Sequence, residues 1–595
     1  MYTREQILNS LKNTKRKPVY TESMREAILS KPYFKKALDG LRKKNREAIS
    51  AVLPHEDFSL FRLFEETGSR KEFSFTYEAP RKKLVVSALA AWLFDDREAL
   101  TAAEDALWCI LNEYSWAPPH HISFGATEAV KRNVSLDVVM TDDTFVIDLQ
   151  AAECAATVAE CVLILGEKMH PLLVKRALVE LERRIFKPFL AGTFVWESKV
   201  NNWASVCASN VCLAALAVID DVERLTDVLE KAFSSLERYL TGFASDGACL
   251  EGLGYWNYGF GPYVGLAKVL YDRTGGELDL FSVPIVEKVA RFYSKCFFKG
   301  GRCVSFADGN TRSSFVPATH SILLWRYPDL VIPDEFINLD FAPDARLADS
   351  ARFFTETTED FVNSKGKLLG THVLPEAQWY ISSAENGVGI AAKGGHNGEP
   401  HNHNDVGSYQ IYKNGKEIIS DLGCGEYTKS YFVTSQRYEC FAPSSRSHSV
   451  PIIDGKYQQY GEDRKARDTE VTENGISMDI APAYDVGSLT SCKRSISFDA
   501  HTGVMELSDE FSFGEAPRSV TERLVTSGKA CLDGDSVLIE NDGEMMRVSF
   551  DSAVLDAVIG TVEDIDKNSA LRTTTVIDLT VKAPTEHFTV KYRIE

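Results

Sequence analysis

His396, His401 and His403 fall within one short segment, GGHNGEPHNHNDVGS, of a chain that holds 12 histidines in all. In an extended chain alternate side chains share a side. His401 and His403 are therefore expected on one face, as a metal ligand beside a proton-transfer base would need. Gly394, Gly395, Gly398 and Gly407 surround them with tight-turn residues; a polar loop carrying surface histidines is the plainer alternative. Downstream, Asn414-Gly415 between alternating apolar residues reads as a type I′ hairpin turn. For Asp421, on the returning strand, to reach His403, the chain near Gly407 must curl back. His448 follows in SSRSHSVPIIDG. Two histidines and one aspartate (His403, Asp421, His448), with a water or one further ligand, would complete a tetrahedral zinc set.

Three segments further upstream also carry chemistry-bearing side chains. Asn201-Asn202-Trp203 stands directly before an apolar helical run, where Asn is a preferred N-cap. Residues 246–265, DGACLEGLGYWNYGFGPYVG, gather Glu251, Tyr255, Trp256, Asn257, Tyr258 and Tyr263 among glycines. Such a loop suits a wall on which sugar rings stack, or an aromatic plug between helices. SFADGNTRSS, residues 305–314, offers Asp308, Asn310 and Arg312 to the same cleft, or forms an ordinary turn.

The elements that must position these residues change character near residue 345. Before it, Ala- and Leu-rich segments such as 84–113, 149–165, 203–219 and 223–241 repeat apolar residues at three and four positions, the pattern of packed helical hairpins. After about residue 375, segments such as RSISFDA, GVMELSDEFSF and HFTVKYRIE alternate with period two, the pattern of an antiparallel β-sandwich. The expected division is a helical domain over 1–345 and a β-sandwich domain over 346–595. With 595 residues, 44% hydrophobic and 25% charged, the chain has ordinary globular composition. Its net charge of −19 argues against nucleic-acid or anionic-membrane partners. The 12 cysteines form no C-x-x-C pair and suit a reducing compartment. The N-terminus shows no signal-peptide pattern and no run reaches about 18 apolar residues, so a cytoplasmic protein is expected.

The order NNW, DGxxxEGxGYWNY, SFADGN, HNHNDVGSYxxYxNGxxxIxDxG and then SHS before a DG resembles the heparinase II/III-type polysaccharide lyases, from about residue 80 to the end. That resemblance implies an incomplete (α/α) toroid followed by an antiparallel β-sandwich, and β-elimination on uronic-acid glycans. It implies Asn201 and Asn202 as neutralisers of the uronate carboxylate, although the second position is often His in such proteins. Tyr255 matches the acid, and for one C5 epimer the base, with Tyr258 as the alternative; His401 matches a base or carboxylate contact. His403, Asp421 and His448 match ligands of a structural zinc. Glu251, Tyr258, Trp256, Asp308, His396 and Arg437 are expected to contact an acidic oligosaccharide substrate, with Arg446 a weaker candidate; for the arginines, plain surface positions are the competing reading. An intracellular lyase would work on imported oligosaccharides, from an end; self-association of the chain into a homo-oligomer is left open. Two other readings stay open: a glycoside hydrolase using Glu251 and Asp308, and a non-catalytic glycan-binding protein.

Overall fold

The structure is a computed structural model that describes residues 1–122, 145–368 and 370–595. Its first part is helical. Lys71–Phe94 and Arg97–Asn112 pack back to back across the Asp95-Asp96 turn, with Asp96 capping the second helix through Ala99 N. At the centre of this part lies Asn202–Val218, which packs on Leu149–Leu165, Val222–Leu240 and Gly261–Thr274. Its Ala-, Val- and Cys-rich sequence is apolar all round, so it is buried on every side beyond its first turn. The cysteines along it stay free, as do all others.

Helices continue past residue 345, through Leu347–Glu356 and Glu359–Val362, before the first C-terminal strand, Gly370–Leu374. From there the chain forms antiparallel sheets of eight, five and four strands, with one short two-stranded ribbon, His396–Asn397 against Gly461–Lys465, beside them. Leu489–Asp499 shows the alternation expected of a sheet with one covered face. Tyr409, Ile496, Leu524 and Ile577, from three different sheets, meet in one core. The helical part and the first strands of the five-stranded sheet share the other large core, through Trp379, Ile381 and Tyr412. The architecture is thus helices followed by an antiparallel β-sandwich. Among the described residues no helix is long and apolar enough to cross a membrane.

The hairpin Tyr409–Lys413 and Lys416–Ile419 turns at Asn414 (φ 45°) and Gly415 (φ 80°), the left-handed pair a type I′ turn needs. Just before it, Gly407 (φ 84°) turns the 401–408 segment back on itself.

Candidate functional site

Asn201 is the N-cap of Asn202–Val218: its Oδ1 accepts from Trp203 N at 3.2 Å. With its carbonyl held in this way, its Nδ2 has no partner among the described residues. Asn202 does something different. Its backbone N–H donates to Glu251 Oε1 at 3.0 Å and its Nδ2 to Glu251 Oε2 at 2.5 Å, and the residue is sealed from solvent. A carboxylate at the first turn of a helix also meets the positive end of its dipole. Burial raises the Glu251 pKa, against the opposing pull of His401 and Asn202.

Tyr255 ends the short helix Leu253–Tyr255, which runs through a π-helical turn, Trp256–Phe260, into Gly261–Thr274. Gly259 on that turn touches the Asn202 backbone so closely that a Cβ would lie 3.2 Å from Asn202 Cα. The Tyr255 ring stacks on the His401 ring with centroids 3.9 Å apart. Its hydroxyl lies 2.9 Å from that of Tyr427. Burial, then the Asp308 charge, push the Tyr255 phenol well above its ordinary value, so it is held as a proton donor.

His401 has a left-handed backbone (φ 56°), uncommon for a non-glycine residue. Its Nδ1 lies 2.9 Å from Asp308 Oδ2, and its Nε2 faces Glu251 Oε2 at 4.0 Å. Asp308 is fully enclosed. Its Oδ1 accepts from Tyr431 at 2.6 Å, Arg437 at 3.0 Å and His403 Nε2 at 3.1 Å. Burial alone would raise its pKa; Arg437 and the two histidines outweigh that and hold it well below the usual carboxylate range. An ionised Asp308 fixes the His401 proton on Nδ1 and leaves Nε2 as an acceptor.

His403, Asp421 and His448 are buried, with one ligand atom from each within 4.8 Å of the others. Asp421 Oδ2 and His448 Nδ1 have no hydrogen-bond partner, and they lie 3.6 Å apart. Burial, with the Asp405 charge adding to it, raises Asp421 to about 6 despite His448; burial lowers both histidines, against the pull of the nearby carboxylates. Orphaned buried donors of this N/O type fit a zinc-like cation, and His403 Nε2 on Asp308 fits a carboxylate behind a metal histidine. The loop is braced independently of any metal: Lys393 Nζ donates to Asp405 Oδ1 at 2.8 Å, and Tyr438 to Asn402 Oδ1 at 2.7 Å.

The structure therefore brings Asn202, Glu251, Tyr255, Asp308 and His401 into one cluster, beside His403, Asp421 and His448, with Asn201 capping the helix that carries Asn202. Four of the expected substrate contacts lie elsewhere or do other work. Trp256 is 0% exposed, donating to Val289 O and stacked on Tyr293, because one helical step from Tyr255 turns it into the core. Tyr258 lines a separate cavity of 270 Å³ with Asn257, under the Arg346 guanidinium. Arg437 points inward, its Nη2 shared between Asp308 and the carbonyls of His401 and Asn402. Asp308 lies beneath His401 rather than on a cleft wall. His396 is half-buried and accepts from Gly398 N through Nδ1. Arg446 donates to Glu439 O and Ser444 Oγ. Sequence reasoning missed Tyr427 and Tyr431, whose four-residue spacing in GEYTKSYF was the available signal.

These features define a two-part fold with a mixed amide, phenol and imidazole site where the parts meet. Residues 367–587 match the family model described as heparinase II/III-like, C-terminal. The resemblance read from the motifs holds there. A comparison with curated protein sequences finds no match. Among solved structures, heparinase III aligns over 99% of this chain and 88% of its own at 13% identity, with TM-score 0.65. Heparan sulfate lyase HepC from Pedobacter heparinus aligns over 100% of this chain and 92% of its own at 12% identity, with TM-score 0.59. A Paenibacillus xanthan lyase aligns over 99% of this chain and 59% of its own at 11% identity, with TM-score 0.51. At these identities the likeness is one of fold.

Proposed function

We propose that this chain is a polysaccharide lyase that cleaves uronate-containing glycans by β-elimination. The observation that carries the reading is the stack of Tyr255 on His401, with the Asn202–Glu251 pair beside it and Asn201 next in the chain. The reaction needs three things in one place. The uronate carboxylate must be neutralised so that charge developing on it is stabilised. A base must take the C5 proton, and an acid must protonate O4. The free Asn201 amide at a helix N-terminus suits the first role. His401 Nε2, with Asp308 fixing its tautomer, suits the second. The buried Tyr255 phenol suits the third. The C5–H and C4–O4 bonds break, a C4–C5 double bond forms, and the leaving sugar departs with a restored hydroxyl.

A metal held by His403, Asp421 and His448 would supply rigidity to the loop that carries His401. We further propose action from a chain end on oligosaccharides; the support is the enclosure of the cluster, with the His401 side chain only 17% exposed. Degradation of long polymer as fast as short oligomers would count against that mode.

The hydrolase reading finds little support. It needs Asp308 as an exposed partner of Glu251, and Asp308 has both oxygens occupied beneath His401. Incubation with heparan, chondroitin, hyaluronan, alginate, xanthan and glucuronan oligosaccharides tests the proposal. A lyase yields ultraviolet-absorbing unsaturated products, abolished in His401→Ala. Products without that absorbance would sink the reading.

A further inference from the structure

A cavity of 860 Å³ opens between the start of Lys71–Phe94 and the β-domain loops around residues 426–436 and 567–569. It is distinct from the cluster above but borders it: Tyr427 lines the cavity and its hydroxyl meets that of Tyr255 at 2.9 Å. Arg70 lines this cavity, half-buried. Among the described residues its guanidinium has no hydrogen-bond or ion-pair partner, and its Nε is buried and unsatisfied. Ring faces lie against it, Phe432 at 4.3 Å and Phe64 at 5.7 Å. Glu65, Glu66 and Glu426 line the same cavity, yet none forms an ion pair with it. Lys71, Lys429 and Lys567 add positive charge to the walls. Burial lowers the Arg70 pKa to about 10, which still leaves it charged at neutral pH. Its charge in turn helps burial and His121 to lower buried His120, at the cavity wall, to about 2.

A partly desolvated guanidinium with no counter-charge beside it carries a cost, and planar oxyanions are its natural partners. Cation–π contact with the Phe432 and Phe64 rings holds the guanidinium without using its N–H donors. We propose that Arg70 is a substrate-binding residue: an acidic group on the sugar next to the cleaved bond enters this cavity and takes the Arg70 N–H edge. The group is a carboxylate or a sulfate, and the inference rests on the elimination reading above for what the substrate is. It deepens that reading by giving the enzyme a second acid-recognition point outside the catalytic cluster. Among the described residues nothing offsets this cost, and binding would relieve it.

The test uses Arg70→Met and Arg70→Lys in the full chain. Kinetics are followed by ultraviolet product, and binding by calorimetry, with unsulfated glucuronan oligosaccharides in one arm and sulfated heparan oligosaccharides in the other. Arg70→Met is expected to raise KM and Kd by about tenfold or more, with kcat moving much less and Arg70→Lys recovering part of the loss. Loss in both arms identifies a carboxylate; loss in the sulfated arm alone identifies a sulfate. The melting temperature of Arg70→Met should stay level or rise, because a half-buried charge with no partner among the described residues is removed. A fall in melting temperature with unchanged Kd would make Arg70 structural and overturn the proposal, as would unchanged KM and Kd in both arms. The two readings fail separately. Arg70-dependent binding by a wild-type chain that yields no unsaturated product sinks elimination and keeps Arg70, while normal turnover and affinity in Arg70→Met do the reverse. A wild-type chain that neither binds nor cleaves any acidic glycan sinks both.

Discussion

Asp308 takes contacts from four side chains, Tyr431, Arg437, His403 and His401, and this decides what several neighbours can do. A carboxylate so occupied is an orienting group, and the arginine that neutralises it is not free for substrate. Arg437→Met should therefore act on stability, costing about 3–5 kcal/mol because it leaves a buried carboxylate uncompensated. Chemical denaturation measures this; a variant of wild-type stability whose only defect is a raised KM would return Arg437 to the substrate. Tyr255 is the opposite case, since its hydroxyl meets only another phenol. Tyr255→Phe should lower kcat by about 10²–10⁴-fold with KM little changed, whereas Tyr258→Phe, in its separate cavity, should leave kcat near wild type. Steady-state kinetics on the best oligosaccharide decide between the two tyrosines.

At the scale of elements, what was legible in the sequence was what is local. The Asn414-Gly415 turn, the helical runs and the alternating strands each announce themselves within a few residues, because backbone conformation and amphipathic period are short-range properties. Asn201 as an N-cap was legible for the same reason. The return of the chain at Gly407, which lets His403 reach Asp421, was legible as a requirement. The hub at Asp308 was not, because its partners lie 93 to 129 residues away in sequence. Nor was the inward turn of Trp256, which depends on the phase of a helix whose π turn breaks the regular period. The element that matters most to the site is the 401–408 loop. If a cation joins His403, Asp421 and His448, strong chelation should lower the melting temperature and remove His401-dependent activity together, with about one zinc per chain released. Metal analysis before and after dialysis reads the stoichiometry; an unchanged melting curve with no metal at any stage would make the triad a hydrogen-bonded core feature.

At the scale of the whole molecule, the active cluster depends on how the two parts of the chain are pressed together. Glu251, Tyr255 and Asp308 come from the helical part, and His401, Tyr427 and Arg437 from the β part. The closest approach near the site is backbone against backbone: Gly423, two residues after Asp421, sits at φ 62° with Gly309 O only 2.2 Å from where a Cβ would stand. Ser305 Oγ spans the same seam to Asp421 O at 3.1 Å and Gln410 Oε1 at 3.0 Å. Gly423→Ala would therefore push the loop that carries Asp308 away from the strand end that carries Asp421. The backbone strain and overpacking together should cost about 1–3 kcal/mol. Because His401 takes its orientation from Asp308 and its stacking from Tyr255, the same shift should lower kcat even though no catalytic group is altered. The comparison with Gly455→Ala, also at positive φ but with open space around it, separates the two contributions. Both variants carry the strain of the backbone, and only Gly423→Ala carries the clash across the seam. Equal losses of activity in the two would mean that the meeting of the two parts does not set the geometry of the site.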